Sequence, residues 1–154
     1  RAFEKLPDKK LYVAGNGPMM EEMQRYVREH HMENVKFLGY LQKDEMSEKF
    51  YQAKAVIMTS QCYEAFAMTI AEAYSYGVPV IAGRVGNMDG MVQDGITGVK
   101  FTYNSAEDLA DKISAFDAMD LSVLKKNARA FYAERLRPED NYQKLIRIYE
   151  DISK

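Results

Sequence analysis

The chain has 154 residues, of which 47% are hydrophobic and 29% are charged, a composition typical of one globular domain. Its formal net charge of −2 argues against nucleic acid as a partner, because phosphate backbones are bound by cationic surfaces. Cys62 is the single cysteine, so the chain cannot form an internal disulfide. Together with the two adjacent histidines, it offers no spacing that would suit a set of metal ligands. This cysteine usage predicts a reducing, cytoplasmic setting, and no apolar run approaches the about 18 residues of a membrane span.

The first half of the chain alternates short apolar runs with amphipathic segments. Residues 11–14 predict a buried strand, after which Gly17-Pro18 opens a helix, because proline is tolerated in the first helical turn. The next apolar run, at residues 35–38, predicts a second strand. A helix at 44–52 and a third strand at 55–58 follow.

The second half continues the alternation. Residues 66–76 predict a helix that ends at Gly77, with Pro79 close behind it as a stop signal. The fourth strand is predicted at 80–82, and residues 83–90 are predicted to form a glycine-rich turn. The remaining elements are a fifth strand at 99–101 and helices at about 106–116, 121–135 and 138–152.

This alternation predicts an α/β fold with a Rossmann-like, doubly wound parallel sheet and C-terminal helices. Ligands of such sheets bind at the carboxyl ends of the strands. The loops that follow the strands, and where we therefore expect a site, are 15–18, 39–42, 59–66 and 83–90.

Two carboxylates flank the start of the third predicted helix. Glu64 precedes the helix and Glu72 lies inside it, so the two are about two turns, or about 12 Å, apart along the axis. Between them, the first backbone N–H groups of the helix form a site for phosphate. A nucleotide sugar, with hydroxyls at both ends and a diphosphate in the middle, suits this layout. The alternative is that both are solvated glutamates, one of them favoured by the helix dipole.

Four segments resemble one family when they are taken in order. They are LYVAGNGP from residue 11, NVKFLGYLQKDEMSEKFYQAKAVIMTS from 34, YEAFAMTIAEAYSYGVPVIA from 63 and VGNMDGMVQDGITGVKF from 85. In this order they resemble the C-terminal, donor-binding domain of the GT-B glycosyltransferases of family 4, the group 1 enzymes. The third segment carries the Glu-x7-Glu pair of that family, followed by its Gly-x-Pro strand.

The resemblance implies a retaining glycosyltransferase of the hexosyltransferase type, acting in polysaccharide or glycolipid assembly. Its donor is a nucleotide-diphosphate sugar, and no metal or other cofactor is expected. Glu64 is the implied catalytic residue, near the hydroxyls of the donor sugar, and Glu72 is implied to accept hydrogen bonds from the ribose hydroxyls. The other implied donor-binding residues are Gly15, Gly17, Tyr40 and Leu41 around the nucleotide, and Phe66, Ala67 and Met68 at the diphosphate.

The resemblance also implies that residues 1–154 are a single donor domain, a fragment without the N-terminal acceptor domain and without the first strand of its own sheet. An arginine–lysine pair of the family belongs to that strand and its loop, and an acceptor glycan or glycolipid binds through the absent domain. We therefore expect little transfer by this domain alone. The full-length enzyme is expected in the cytoplasm, and peripheral association with the inner face of the membrane stays open.

The sequence departs from the family at Ala65 and Ala67, which replace glycines and leave less room for a ligand. Two alternatives to the donor domain therefore remain open. One is a non-catalytic module that binds a nucleotide or a partner. The other is half of a nucleotide-sugar epimerase, for which no matching acid–base histidine is found.

Overall fold

A computed structural model describes residues 1–61, 63 and 65–153. The described strands are β1 Leu11–Ala14, β2 Val35–Gly39, β3 Val56–Met58, β4 Val80–Gly83 and β5 Gly98–Phe101. The described α-helices are α1 Met20–Glu29, α2 Lys43–Gln52, α3 Met68–Ser75, α4 Gly86–Met91, α5 Ala106–Phe116, α6 Leu121–Arg135 and α7 Pro138–Ile152. A short 3₁₀ helix, Ala2–Lys5, precedes β1.

All of the described strand pairs are parallel, which confirms the expected α/β, Rossmann-like fold. The strands fall into two separate sheets, one with the order β1-β2 and one with the order β3-β4-β5. The alternating pattern predicted one sheet, and the structure differs in this respect. The difference arises because β1 and β3 are not hydrogen-bonded to each other.

The core consists of two apolar clusters, one on each face of β4. Val80 and Ala82 belong to the cluster under α3, α4 and α6, whereas Ile81 belongs to the cluster under the 3₁₀ helix and α5. Successive residues of a strand point to opposite faces, so β4 contributes to both clusters and all four of its residues are buried. This burial on both faces explains why β4 is an uninterrupted apolar run.

The prediction of a glycine-rich turn at 83–90 was wrong in part, because residues of this segment form helix α4. Glycine has a low helix propensity, yet Met88 and Met91 on this helix are buried in the core. Tertiary packing of these two methionines therefore overrides the local preference. Helix α3 also begins later than predicted, at Met68 rather than near residue 66.

Helix α7 lies outside the core. It contains no buried residue, although one face of the helix carries large apolar side chains. These exposed side chains are Tyr142, Leu145, Ile148, Tyr149 and Ile152. Among the described helices, none is both long enough and apolar enough to cross a membrane.

Tyr74 is the largest fully buried side chain, and its phenol is hydrogen-bonded inside the core. The Tyr74 hydroxyl lies 2.7 Å from Thr97 Oγ1 and donates to the Met91 carbonyl at 3.3 Å. Thr97 Oγ1 in turn accepts from the backbone N–H of Gln93 at 2.9 Å. Burial raises the pKa of the Tyr74 phenol from 10.0 to about 12, against a smaller lowering by the Thr97 hydrogen bond.

Because of the Tyr74 phenol, we expect the free energy of unfolding to fall as the pH rises under alkaline conditions. Between about pH 10 and pH 12 the folded chain keeps a proton that the unfolded chain releases, so the free energy of unfolding falls by about 2 kcal/mol over this range. Tyr74→Phe should cost about 1–2 kcal/mol at pH 8, because its hydrogen bonds are lost. That deficit should disappear by about pH 12.

Urea unfolding at several pH values measures this effect. The control is Tyr142→Phe, because Tyr142 is exposed on α7 and should show no pH-dependent difference from the parent. A Tyr74→Phe deficit that stays constant from pH 8 to pH 12 would contradict the expectation.

Candidate functional site

Two glycines at the carboxyl ends of β1 and β2 are linked by a backbone hydrogen bond. The Gly15 N–H donates to the Gly39 carbonyl at 2.6 Å, and both residues have a positive φ, +107° and +66°. Such angles suit glycine, which has no Cβ, so the chain can turn sharply at both points. The two turns place the 15–18 loop beside Tyr40 and Leu41, of which Tyr40 is 71% exposed. The structure thus brings four predicted residues to one edge, Gly15, Gly17, Tyr40 and Leu41.

The loop after β3 is held by the start of α4. The Asn87 side-chain amide donates to the Ala65 carbonyl at 2.5 Å. Gly86, with φ +52°, lies so close to Tyr63 that a Cβ there would be 3.1 Å from Tyr63 Cδ1. Glu64, the predicted catalytic residue, lies outside the described residues, but its neighbours Tyr63 and Ala65 are thus anchored on α4.

The amino terminus of α3 offers part of the predicted diphosphate site. Phe66 and Met68 are exposed, whereas Ala67 is buried in the core. The Met68 N–H already donates to the Phe66 carbonyl at 3.0 Å, and the N–H groups of Ile70 and Ala71 both donate to the Ala67 carbonyl. Of the three predicted residues, Met68 therefore has its amide engaged within the chain. The Ala67 methyl points into the core, so it does not narrow the site as the sequence alone suggested.

Glu72 lies on the exposed side of α3 and is free to meet a ligand. Within the described part of the chain, its carboxylate forms no ion pair or hydrogen bond. It lines a cavity of about 1180 Å³ together with Thr59 and Thr69. The same side chain borders a groove of about 280 Å³ beside Phe66 and Met68. An unpaired carboxylate at this position can accept hydrogen bonds from two adjacent hydroxyls of a ligand.

The large cavity lies between the strands that precede the two parts of the candidate site. It lies between the two sheets, with β1 and Leu38 of β2 on one side and β3, Thr69 and Glu72 on the other. Ala14 and Leu38, which line the cavity, directly precede the two glycine turns, and Thr69 and Glu72 lie in the first turns of α3. The predicted residues therefore form two groups, one next to Ala14 and Leu38 and one at the start of α3, and among the described ones Glu72 lines the opening itself.

The positive charges after β4 and on β5 are neutralised by neighbouring aspartates. Arg84 donates to Asp94 Oδ2 at 3.0 Å and lies 3.9 Å from Asp89 Oδ1. Lys100 Nζ lies 2.9 Å from the same Asp89 oxygen. The two ion pairs of Arg84 are about half exposed, so they contribute little stability, but they occupy Arg84. Arg84 is thus a paired surface residue.

Among the described residues, no group of three or more histidine, cysteine, aspartate or glutamate side chains is arranged to hold a metal ion. Asn87 was not predicted as a site residue, because no sequence motif marks it. Its role in holding the loop depends on a contact with Ala65, which lies 22 positions away in the sequence.

We expect Asn87→Ala to loosen the loop after β3. Loss of one hydrogen bond is worth about 1 kcal/mol, so hydrogen exchange at residues 65–67 should become about fivefold faster. Asn127→Ala is a matched control, because the Asn127 amide makes a similar bond to the Ile96 carbonyl at 3.2 Å, away from this loop. Equal exchange in the parent and Asn87→Ala would show that the Asn87 bond does not hold the loop.

Comparison with known proteins gives one family and several similar folds. The sequence profile of the family described as glycosyl transferases group 1 matches residues 1–130. Sulfoquinovosyl transferase SQD2 of Arabidopsis thaliana is 30% identical over 132 residues, which cover 82% of this chain and 25% of that protein. N-acetyl-alpha-D-glucosaminyl L-malate synthase of Bacillus anthracis is 28% identical, covering 99% of this chain and 40% of that protein.

Among solved structures, Anabaena HepE in complex with UDP has a TM-score of 0.87 at 23% identity. The alignment covers 97% of this chain and 43% of that one. At this level of identity the likeness establishes the fold. The chain spans between a quarter and about two-fifths of the length of these relatives.

Proposed function

Because the chain belongs to the group 1 glycosyl transferases, we propose that it is the donor half of a retaining enzyme that transfers a sugar from a nucleotide diphosphate to an acceptor hydroxyl. The nucleotide sugar binds at the carboxyl ends of the parallel strands, where ligands of such sheets bind. The proposal assigns one part of the donor to each group of residues around the opening.

The exposed and unpaired carboxylate of Glu72 carries this proposal. On the short helix α3, a charged side chain that has no partner among the described residues contributes little to folding, but it matches two adjacent ribose hydroxyls. The glycine turns support the nucleotide assignment as well. Gly17 faces open space, since a Cβ there would meet no atom within 4 Å, so a ligand can approach its backbone. Tyr40 and Leu41 border the pocket of the nucleotide base.

The diphosphate lies at the start of α3, near Phe66, Ala67 and Met68, where the helix dipole favours negative charge. The chemical task of the protein is to stabilise the diphosphate as it leaves with the bonding electrons. We assign Glu64 to the donor sugar, beside the carbon that is attacked. Helix α3 and groups supplied by the rest of the enzyme share the diphosphate charge, and we propose that no metal takes part.

The whole enzyme includes a second, acceptor-binding domain in this proposal. The chain covers 25% and 40% of the two relatives named above, which leaves room for such a domain. The exposed apolar side chains of α7 suit a contact with it, because a row such as Leu145, Ile148 and Ile152 is costly to leave in water. The acceptor is a glycan or a glycolipid, and the enzyme acts on the cytoplasmic side in polysaccharide assembly.

Calorimetric titration of the full-length gene product with UDP, GDP and ADP, without added metal, tests the proposal. We expect saturable binding of one nucleotide. UDP is the first choice, because HepE, a protein of similar fold, was solved with UDP. Binding of none of the three at millimolar concentration would contradict the proposal.

A further inference from the structure

Lys100 on β5 occupies a position that a strand covered by helices normally gives to an apolar side chain. Its neighbours Val99 and Phe101 are buried in the cluster under the 3₁₀ helix and α5, so Lys100 points to the opposite face, on which α4 lies. The Lys100 side chain is only 14% exposed. Apolar residues in place of a largely buried ion pair are often neutral or stabilising, so stability does not explain a lysine here.

The ammonium group of Lys100 contacts one residue of α4 twice. Lys100 Nζ donates to the carbonyl oxygen of Asp89 at 2.5 Å and lies 2.9 Å from Asp89 Oδ1. Asp89 is among the last four residues of α4, whose carbonyls lack partners within the helix. A cation at this end of a helix is also favoured by the helix dipole. Lys100 therefore caps α4 and ties it to β5.

Helix α4 depends on such outside support because its sequence is a poor helix former. It has only six residues, GNMDGM, and two of them are glycines. A helix of this length is not stable by itself, and glycine disfavours the helical conformation. Met88 and Met91 hold α4 from the core, where both are buried. Lys100 adds a directional contact, which fixes the position of the helix along β5.

The first turn of α4 is the part that holds the loop after β3. The Asn87 amide donates to the Ala65 carbonyl, and Gly86 packs against Tyr63. Tyr63 and Ala65 flank Glu64 in the sequence. A shift of α4 would therefore move the contacts on both sides of the residue that we assign to the donor sugar.

We propose that Lys100 is a positioning residue, which fixes α4 through Asp89 and thereby fixes the loop that carries Glu64. Lys100 lines neither the large cavity nor the groove beside Glu72, so it acts through α4 rather than on the donor. The inference rests on the proposed function for the role of Glu64. The link from Lys100 to the loop rests on the contacts alone.

Hydrogen exchange of the full-length gene product without nucleotide tests this link. In Lys100→Met, which removes the cation and keeps a long side chain, we expect residues 65–67 to exchange about tenfold faster, because a hydrogen bond from a charged group is lost. Exchange in β4 should stay within about threefold of the parent, since Asp89 is half exposed and keeps Arg84 nearby. Unchanged exchange at 65–67, or an equal acceleration in β4, would overturn the proposal.

Two further variants are controls for the charge and for the loss of a lysine. Lys100→Arg keeps a cation that can donate to Asp89, so exchange at 65–67 should return to within about threefold of the parent. Lys36→Met removes an exposed lysine from another strand, β2, and should leave this loop unchanged. Equal acceleration in Lys100→Arg and Lys100→Met, or in Lys36→Met and Lys100→Met, would overturn the proposal.

A double variant separates positioning from a general effect on stability. If Lys100 acts through α4 and Asn87, Lys100→Met and Asn87→Ala remove the same constraint. Exchange at 65–67 in the double variant should then match Lys100→Met alone, at about tenfold. Independent effects would multiply to about fiftyfold, and this result would overturn the proposal.

None of these readings involves a nucleotide. If exchange follows the expected pattern and the parent binds none of UDP, GDP and ADP, the link from Lys100 to the loop stands and the proposed function alone is refuted.

Discussion

Glu72→Ala is expected to weaken nucleotide binding by about 100-fold, because two hydrogen bonds to a charged group are lost. The same change should leave folding almost untouched. The Glu72 carboxylate has no partner among the described residues, and alanine favours the helix. Calorimetric titration of the full-length gene product with UDP, paired with urea unfolding, measures both quantities.

Glu134→Ala is the control for this experiment. Glu134 is also an exposed glutamate on a helix, α6, but it does not line the cavity or the groove beside Glu72. Its replacement should leave the affinity for UDP unchanged. Unchanged affinity in Glu72→Ala as well would remove Glu72 from the donor site.

Gly98→Ala is expected to destabilise the fold by about 3 kcal/mol or more. Gly98 begins β5 and pairs with Val80 of β4, and a Cβ at Gly98 would lie 1.9 Å from the Val80 carbonyl oxygen. The obstacle is backbone rather than a flexible side chain. Because β4 is buried and paired on both edges, it cannot yield, and β5 would have to leave its place.

Gly90→Ala is the control, since it adds the same methyl group at a position where a Cβ meets nothing within 4 Å. Gly90 lies within α4, so alanine there should be neutral or stabilise by up to about 1 kcal/mol. Urea unfolding of both variants measures the contrast. A Gly98→Ala protein as stable as Gly90→Ala would contradict the close packing of β5 on β4.

The order of the elements could be predicted from the sequence because burial leaves a periodic pattern. The pattern correctly predicted the positions of strand β4 and of helices α5, α6 and α7. Helix α4 could not be predicted, since Met88 and Met91 form it through contacts with a core that is distant in sequence. The separation into two sheets depends on strand pairing, which an apolar pattern does not encode.

The sequence could predict which loops follow the strands, but not the contacts that those loops make. The rule that ligands bind at the carboxyl ends of strands pointed to the loops after β1, β2 and β3, and Ala14, Leu38 and Thr59 at these strand ends line one opening. The assigned roles of Glu72, Gly15 and the other site residues remain predictions. The contacts of Asn87 with Ala65 and of Gly86 with Tyr63 were not predictable, because each is a single long-range contact without periodicity.

In the proposed function, a nucleoside diphosphate binds at the opening between the glycine turns and α3. The most direct test is the footprint of saturating UDP on the full-length gene product, measured by hydrogen exchange. We expect slower exchange at residues 15–17, 40–41 and 66–72, with no change on α6 or at the outer edge of β5. Protection confined to α6, α7 or that outer edge, with residues 15–17 and 66–72 unchanged, would contradict it.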